Sequence, residues 1–253
     1  MNVYLLFILA ILIGSYLLEV VVEILNIKYL KTDLPEEFVG YYDADNYKKS
    51  QQYLKDYTRF GIITDTFFTA LTISFILFGG FNYVDAFARS FNLGSIPTGL
   101  IFAGILLFVS QIIHIPFSAY ATFVIEEKYG FNRTTVKTFF ADILKSWLLM
   151  AIIGGTVFSI VLWFFEKTGA WAWLYCWGAL IVIQIFLSYI APVLIMPMFN
   201  KFYPLEAGEL KATIEEYARA QKFKMKGVFK MDASKRSTKS NAFFTGFGKF
   251  RRI

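Results

Sequence analysis

Five uninterrupted apolar runs constrain this chain more than any other feature. They are Val3–Ile27, Ile62–Phe81, Gly99–Ile125, Ile143–Phe165 and Ala170–Ile195. A helix needs about 20 apolar residues to cross the hydrocarbon core of a bilayer, and each run is long enough to do so. In lipid every backbone N–H and C=O must be satisfied within the protein, so such runs fold as helices. Composition agrees: 57% of the residues are hydrophobic and only 17% are charged, against roughly 25% charge in a soluble domain. The third and fifth runs contain Pro116 and Pro192, which are expected to kink their helices, a change a bundle tolerates where neighbours satisfy the freed carbonyls. The first run lacks a basic leader and carries Glu19 and Glu23, so it reads as a retained span and not a cleaved signal peptide.

The charge is +6, and its placement decides what it means. Of the 25 Lys and Arg residues, 23 fall in the 28–61 segment, the 126–145 segment and the tail after residue 198; Arg89 and Lys167 are the exceptions. Cytoplasmic connections are enriched in Lys and Arg. The distribution therefore predicts an outside N-terminus and a cytoplasmic tail, with the basic residues near anionic lipid and no nucleic-acid partner. The lone Cys176 excludes an intrachain disulfide and any cysteine-based metal centre.

Intramembrane polar residues are the first candidates for chemistry. Glu19 and Glu23 share one helix face, Asp65 opens the second span, His114 lies in the third and Gln184 in the fifth. His114 is the only histidine, whereas zinc sites take three or four protein ligands. It reads as a hydrogen-bonded helix residue.

Two cytoplasmic stretches carry more. In "FVIEEKYGFNRTT" (Phe123–Thr135), Gly130 permits a left-handed helix stop, and Asn132 through Thr135 supply caps for a new helix. In the tail, "PLEAGELKATIEEYARAQKF" predicts an amphipathic helix with Leu210, Ile214, Tyr217, Ala218 and Gln221 on one face. Glu215 and Arg219 are placed to pair across one turn. "GVFKMD" (Gly227–Asp232) reads as a strand, Ala233–Ser240 as a polar turn and "NAFFTGFG" (Asn241–Gly248) as a second strand, with "FRRI" opening a further element. The expected organisation is an all-α membrane domain over residues 1–198, followed over 199–253 by the start of a small α+β cytoplasmic domain. Those last 55 residues hold too little apolar surface for an independent core.

Three segments together, "FVIEEKYGFNRTT", "APVLIMPMFNKFYPLEAGEL" and "MDASKRSTKSNAFFTGFGKFRRI", resemble the CAAX prenyl endopeptidases, integral-membrane zinc metalloproteases. The resemblance runs over nearly the whole chain. It implies a chamber-forming bundle: seven membrane helices around a water-filled space, of which five precede the zinc helix. It implies zinc held by the two histidines of an H-E-x-x-H helix and a later glutamate, and peptides or prenylated C-terminal peptides as substrates. It also implies that Asn241 and Ala242 of "SNAFF" form an edge against which substrate pairs. The loop from Gly79 to Gly99 looks like bacterial members, which suggests a bacterial inner membrane; a eukaryotic protein would sit in the endoplasmic reticulum. No H-E-x-x-H occurs in these 253 residues. The expectation is thus a front part of the peptidase, ending before the zinc helix and holding no zinc by itself. The alternative is a non-catalytic membrane chamber or interaction module.

Overall fold

The structure is a computed structural model that describes residues 2–246, 251 and 252. Nine helices and two strands are seen among the described residues. Five helical stretches are long and apolar enough to cross a membrane: Val3–Tyr29, Ala44–Leu77, Ser95–Glu126, Val136–Lys167 and Gly169–Phe199. Their large apolar side chains face outward, with Phe7 66% and Val182 67% exposed, an arrangement that water would penalise and lipid favours.

The chain divides into two compact units, Met1–Leu93 with Ile101–Asn132 and Gly94–Leu100 with Arg133–Ile253. In the first, α1 (Val3–Tyr29) packs on α2 (Ala44–Leu77), and the Tyr16 and Thr66 hydroxyls meet at 2.7 Å. Helix α2 departs from the expected span at both ends. It starts at Ala44, because the Asp43 side chain caps it by accepting from the Asn46 N–H at 2.7 Å. Residues 44–61 therefore extend the helix where a loop was expected. It stops at Leu77 because Gly79 takes φ +70°, a left-handed conformation that costs glycine little. The expected run to Phe81 is broken there, and α3 (Gly80–Ser90) follows as a short separate helix, with Arg89 bonded to Asp85 at 2.7 Å.

Helix α4 (Ser95–Tyr120) contains Pro116 and passes into a π-helical turn over Ala121–Glu126. In the second unit α5 (Val136–Leu149), a π-turn (Met150–Gly154) and α6 (Gly155–Lys167) form one continuous rod. A short 3₁₀ turn leads into α7 (Ala172–Ile190), then a π-turn over Ala191–Ile195 holding Pro192, then α8 (Met196–Phe199). Pro192 falls inside its π-turn, which gives the helix a wider ladder where a donor is missing, whereas Pro116 lies within the α-helical part of α4, before the π-turn begins. Helices α6 and α7 pack around buried Ala172 and Cys176.

After α8 come β1 (Lys201–Pro204), α9 (Glu209–Ala220) and β2 (Phe229–Asp232). The sheet differs from the expected hairpin. β2 pairs antiparallel with β1, in the register Lys201↔Asp232 to Pro204↔Phe229, and not with the 241–248 segment. Residues 241–246 form no strand; Thr245 alone bridges Arg252, and Phe247, Gly248, Phe250 and Ile253 of the two predicted elements lie outside the described residues. Of the predicted apolar face of α9, Ala218 is buried and Ile214 half-buried, whereas Leu210 and Tyr217 are 65% and 69% exposed. Glu215 and Arg219 make no ion pair among the described residues. The buried residues of this region are Ala218 of α9 and Val228 at the entrance to β2.

Candidate functional site

The polar turn after β2 begins with Asp232, whose Oδ1 accepts from the Ser234 N–H at 3.1 Å and from its hydroxyl at 2.5 Å. These bonds hold the Asp232 carboxyl below its ordinary range, the Ser234 hydroxyl contributing most. The Arg236 and Ser237 N–H groups then close back on the Ala233 carbonyl at 2.9 and 3.1 Å, which fixes the direction in which Arg236 leaves the turn.

Arg236 is the junction of the site. Its Nε and Nη2 donate to the two carboxylate oxygens of Asp142 at 2.6 and 2.8 Å, and its Nη1 donates to the Asn200 side-chain oxygen at 2.8 Å. Its own carbonyl accepts from the Arg133 N–H at 3.0 Å and from the Thr134 hydroxyl at 3.1 Å. Lys145 reaches the Met198 carbonyl at 2.9 Å and lies 3.6 Å from Asp142. One arginine thus joins the three segments that carried the family resemblance: the start of α5, the end of α8 and the turn after β2. The Thr135 side chain caps α5 by accepting from the Thr138 N–H at 3.2 Å, and so sets where Asp142 emerges about two turns later.

Sequence reading missed this junction. An aspartate six residues into a helix that becomes fully apolar is the one signal that could have raised it, since such a charge needs a partner. Nothing local in "SKRST" singles out Arg236 as that partner.

The turn leads into a cleft of about 950 Å³. Its lining is largely apolar, from Phe202 of β1 and Leu205 just after it, Ile214 of α9, Val228 just before β2 and Phe229 of β2. The 237–243 segment forms one wall, so Asn241 and Ala242, the residues expected to align substrate, both line it and are exposed. The Asn241 side-chain oxygen accepts from the Ala242 N–H at 2.8 Å. An extended ligand that took this N–H would have to displace the Asn241 carboxamide from it.

None of the intramembrane candidates is among the residues that line the cleft. Glu19 is exposed and Glu23 half-buried on α1, and Asp65 is exposed on α2. His114 bonds to the Ser110 carbonyl of its own helix at 2.8 Å and stacks on Phe68, with centroids 3.7 Å apart. Among the described residues no three His, Cys, Asp or Glu side chains converge in a way that could hold a metal ion.

A second polar knot lies in the first unit, around the glycine stop. Gly130 takes φ +70° and its N–H closes on the Glu127 carbonyl, as expected from the sequence. Asp56 of α2 accepts from Lys128 at 2.6 Å and from the Tyr129 hydroxyl at 2.7 Å on the same Oδ2. Tyr53 donates to Glu126 at 3.1 Å and packs edge-on against Tyr129 and Phe131. Burial, reinforced by the Asp56 carboxylate, pushes the Tyr129 phenol above its ordinary range.

Comparison with known proteins gives these motifs a context. The family model for the CAAX prenyl protease N-terminal part, with five membrane helices, matches residues 23–201, and the model for peptidase family M48 matches residues 204–253. The probable CAAX prenyl protease 1 of Schizosaccharomyces pombe is 37% identical over 248 residues, covering 92% of this chain and 52% of the relative. The Arabidopsis thaliana CAAX prenyl protease 1 homolog is 35% identical over 251 residues, covering 95% and 59%. The crystal structure of S. mikatae Ste24p superposes with a TM-score of 0.91 at 35% identity, over 100% of this chain and 61% of that one. The chain spans about half the length of the curated relatives it matches. These relatives are fungal and plant proteins and lend no support to the bacterial likeness of the Gly79–Gly99 loop. With the five membrane-length helices, the two-stranded sheet and both family models in register along it, this chain belongs to the CAAX prenyl protease family.

Proposed function

We propose that this protein serves a membrane-embedded endopeptidase of the CAAX prenyl type, acting on peptides or prenylated C-terminal peptides at the cytoplasmic face of the membrane. Residues 1–198 supply the membrane helices and 199–253 the front of the peptidase domain, where Asn241 and Ala242 align an extended substrate. Members of the family are zinc metalloproteases, but the residues of this chain do not fit a zinc centre: it has one histidine, and that ring is bonded within its own helix. Its own contribution is to bind and orient. A strand-like peptide satisfies its backbone against a free edge while its side chains enter an apolar cleft. The observation that supports this most directly is that Asn241 and Ala242, joined by their own hydrogen bond, line the apolar cleft beyond the Arg236 junction.

Peptide binding to the purified protein tests the reading. Titration with a fluorescent apolar peptide should show Asn241→Ala weakening binding about 5- to 150-fold, the worth of roughly 1–3 kcal/mol for one hydrogen bond in a desolvated cleft. Ala242→Pro removes the donor and should cost at least as much, whereas Ser237→Ala should cost little. Unchanged affinity in Asn241→Ala would reduce the residue to a local turn cap.

Orientation follows from the Lys and Arg distribution. Single cysteines at Asn92 and Lys235 in a Cys176→Ser background, probed with an impermeant thiol reagent on intact cells, should label at 92 only. Labelling at 235 alone inverts the topology.

A further inference from the structure

Helix α3 lies in the chain between two membrane-length stretches, and none of its residues lines the cleft. Two residues, Phe78 and Gly79, link it to α2, and residues 91–94 link it to α4. An extended residue reaches at most about 3.6 Å, so links this short hold α3 at the level where both spans end. Its side chains fall into stripes four residues apart. Gly80, Val84 and Ala88 form the first; Gly80 and Ala88 are buried and Val84 is half-buried. Gly80 lies so close to the Phe75 ring of α2 that a Cβ there would overlap it, and Phe75 packs edge-on against Phe81 at 4.9 Å. This side fastens α3 to α2. Asp85 and Arg89 form the second stripe, joined at 2.7 Å. Tyr83, Phe87 and Phe91 form the third, roughly opposite the ion pair. They are 76%, 55% and 51% exposed, and the Phe87 and Phe91 rings meet edge to face at 5.3 Å.

Water penalises an exposed aromatic stripe, and the surroundings of α3 say what covers it. Leu77 and Phe78, at the end of the span before it, are 54% and 80% exposed, so apolar exposure continues from the span into the helix. Aromatic side chains gather at the boundary between headgroups and hydrocarbon, and the phenol of a tyrosine suits a site that is apolar at one end and wet at the other. We propose that α3 is an interfacial helix. It lies in the plane of the bilayer surface, with Tyr83, Phe87 and Phe91 entering the boundary between headgroups and acyl chains and the Asp85–Arg89 pair facing water. There it holds the adjoining ends of α2 and α4 at a fixed depth. Its attraction to the membrane is apolar. Interfacial helices that seek anionic lipid are rich in Lys and Arg on the polar face, whereas α3 has one arginine, neutralised by its own aspartate. Peptide binding at Asn241 and Ala242 has no bearing on this role.

Nitroxide labels test this in the purified chain in nanodiscs of phosphatidylcholine. Single cysteines are placed by Tyr83→Cys, Phe87→Cys and Asn82→Cys in a Cys176→Ser background, and each label is probed with oxygen, which concentrates in hydrocarbon, and with a nickel chelate, which stays in water. The labels at 83 and 87 should be reached mainly by oxygen and should read about 5–10 Å into the headgroup and acyl boundary. The label at 82, on the polar side, should be reached mainly by the chelate. Adding phosphatidylglycerol at low salt should leave the depths unchanged. Chelate access at 83 and 87 equal to that at 82 means that α3 stands in water, which overturns the proposal. Exclusion of both reagents from 83 and 87 means that protein covers the stripe, as a second copy or as further chain, and overturns it too. Deeper insertion with phosphatidylglycerol means that Arg89 seeks anionic headgroups, which overturns the apolar attraction. Tyr83→Cys alters a side chain that is 76% exposed, so the test does not depend on whether Phe87→Cys folds.

Discussion

Each compact unit fastens a polar segment to a membrane-length helix through one aspartate, and the two fastenings differ in kind. In the first unit Asp56 meets Lys128 and Tyr129 on a single oxygen, 72 and 73 residues away. The Lys128 side chain is 62% exposed. In the second, Asp142 meets Arg236 across 94 residues with both oxygens engaged, and the two side chains are 22% and 24% exposed. An exposed ammonium is well solvated without its partner, so the pair adds little. A half-buried guanidinium bonded at three nitrogens leaves a desolvated carboxylate behind when it is removed, and that is costly. The first knot is therefore held mainly by the packing of Tyr53, Tyr129 and Phe131 and by the phenol bond; the second is held by charge geometry.

The largest effect that separates them should come from Arg236→Ala. It strips Asp142 of its bidentate partner and Asn200 of its donor, and should lower stability by about 2–3 kcal/mol. Thermal unfolding in detergent, followed by tryptophan fluorescence, measures this. The double variant Asp142→Asn/Arg236→Gln should recover part of the loss, because no lone charge then remains. If Arg236→Ala is as mild as a surface change, the contrast between the two units collapses.

Tyr129→Phe comes next, at about 1 kcal/mol, since it deletes one hydrogen bond to a carboxylate and leaves the ring packing in place. Alkaline pH sharpens the same point. The folded state favours the neutral Tyr129 phenol, so its pKa is raised, and its contribution is complete below the ordinary tyrosine range near pH 10. It is lost as pH rises through the higher folded value. Lys128, raised by its bond to Asp56, loses its charge in the same direction. Hydrogen exchange across a rise from neutral to strongly alkaline pH, corrected for the intrinsic rate, should show the 126–132 segment loosening before the 233–240 turn, and Tyr129→Phe should blunt the difference. Loosening of both together would mean that the two knots depend on the same groups.

The smallest effect should be that of Lys128→Ala, with no resolvable change in melting temperature at physiological salt, as an exposed and screened ammonium implies. A clear loss there would give the first knot the same electrostatic character as the second.

Much of this architecture is written locally in the chain. The membrane-length helices follow from runs of apolar residues, because transfer from water to hydrocarbon is decided residue by residue and a spanning segment must satisfy its own backbone. The stop at Gly130 and the cap at Thr135 are equally local, since a left-handed turn and a side-chain acceptor act within one helical turn. The segments 44–61 and 82–90 read as loops because they lie outside the apolar runs; Asp43 and Gly79, a cap and a turn residue, are the marks that place helices there.

What only the tertiary structure decided concerns partners distant in sequence. β1 is four residues long, contains a proline and follows directly on a helix; nothing in so short a run distinguishes a strand from a connector. β2 takes it as its partner, where the order of the chain suggests the Asn241–Gly248 segment. Arg236 looks like any basic turn residue until Asp142, Asn200 and the Arg133 backbone converge on it. Leu210 and Tyr217 follow the helical period and are nevertheless exposed, because a period states which residues share a face and not how much of that face another element covers. Periodicity and capping are short-range and leave a trace in the order of residues. Pairing across 36 to 94 residues depends on where the folded elements bring their side chains, and a single chain of letters carries no record of that distance.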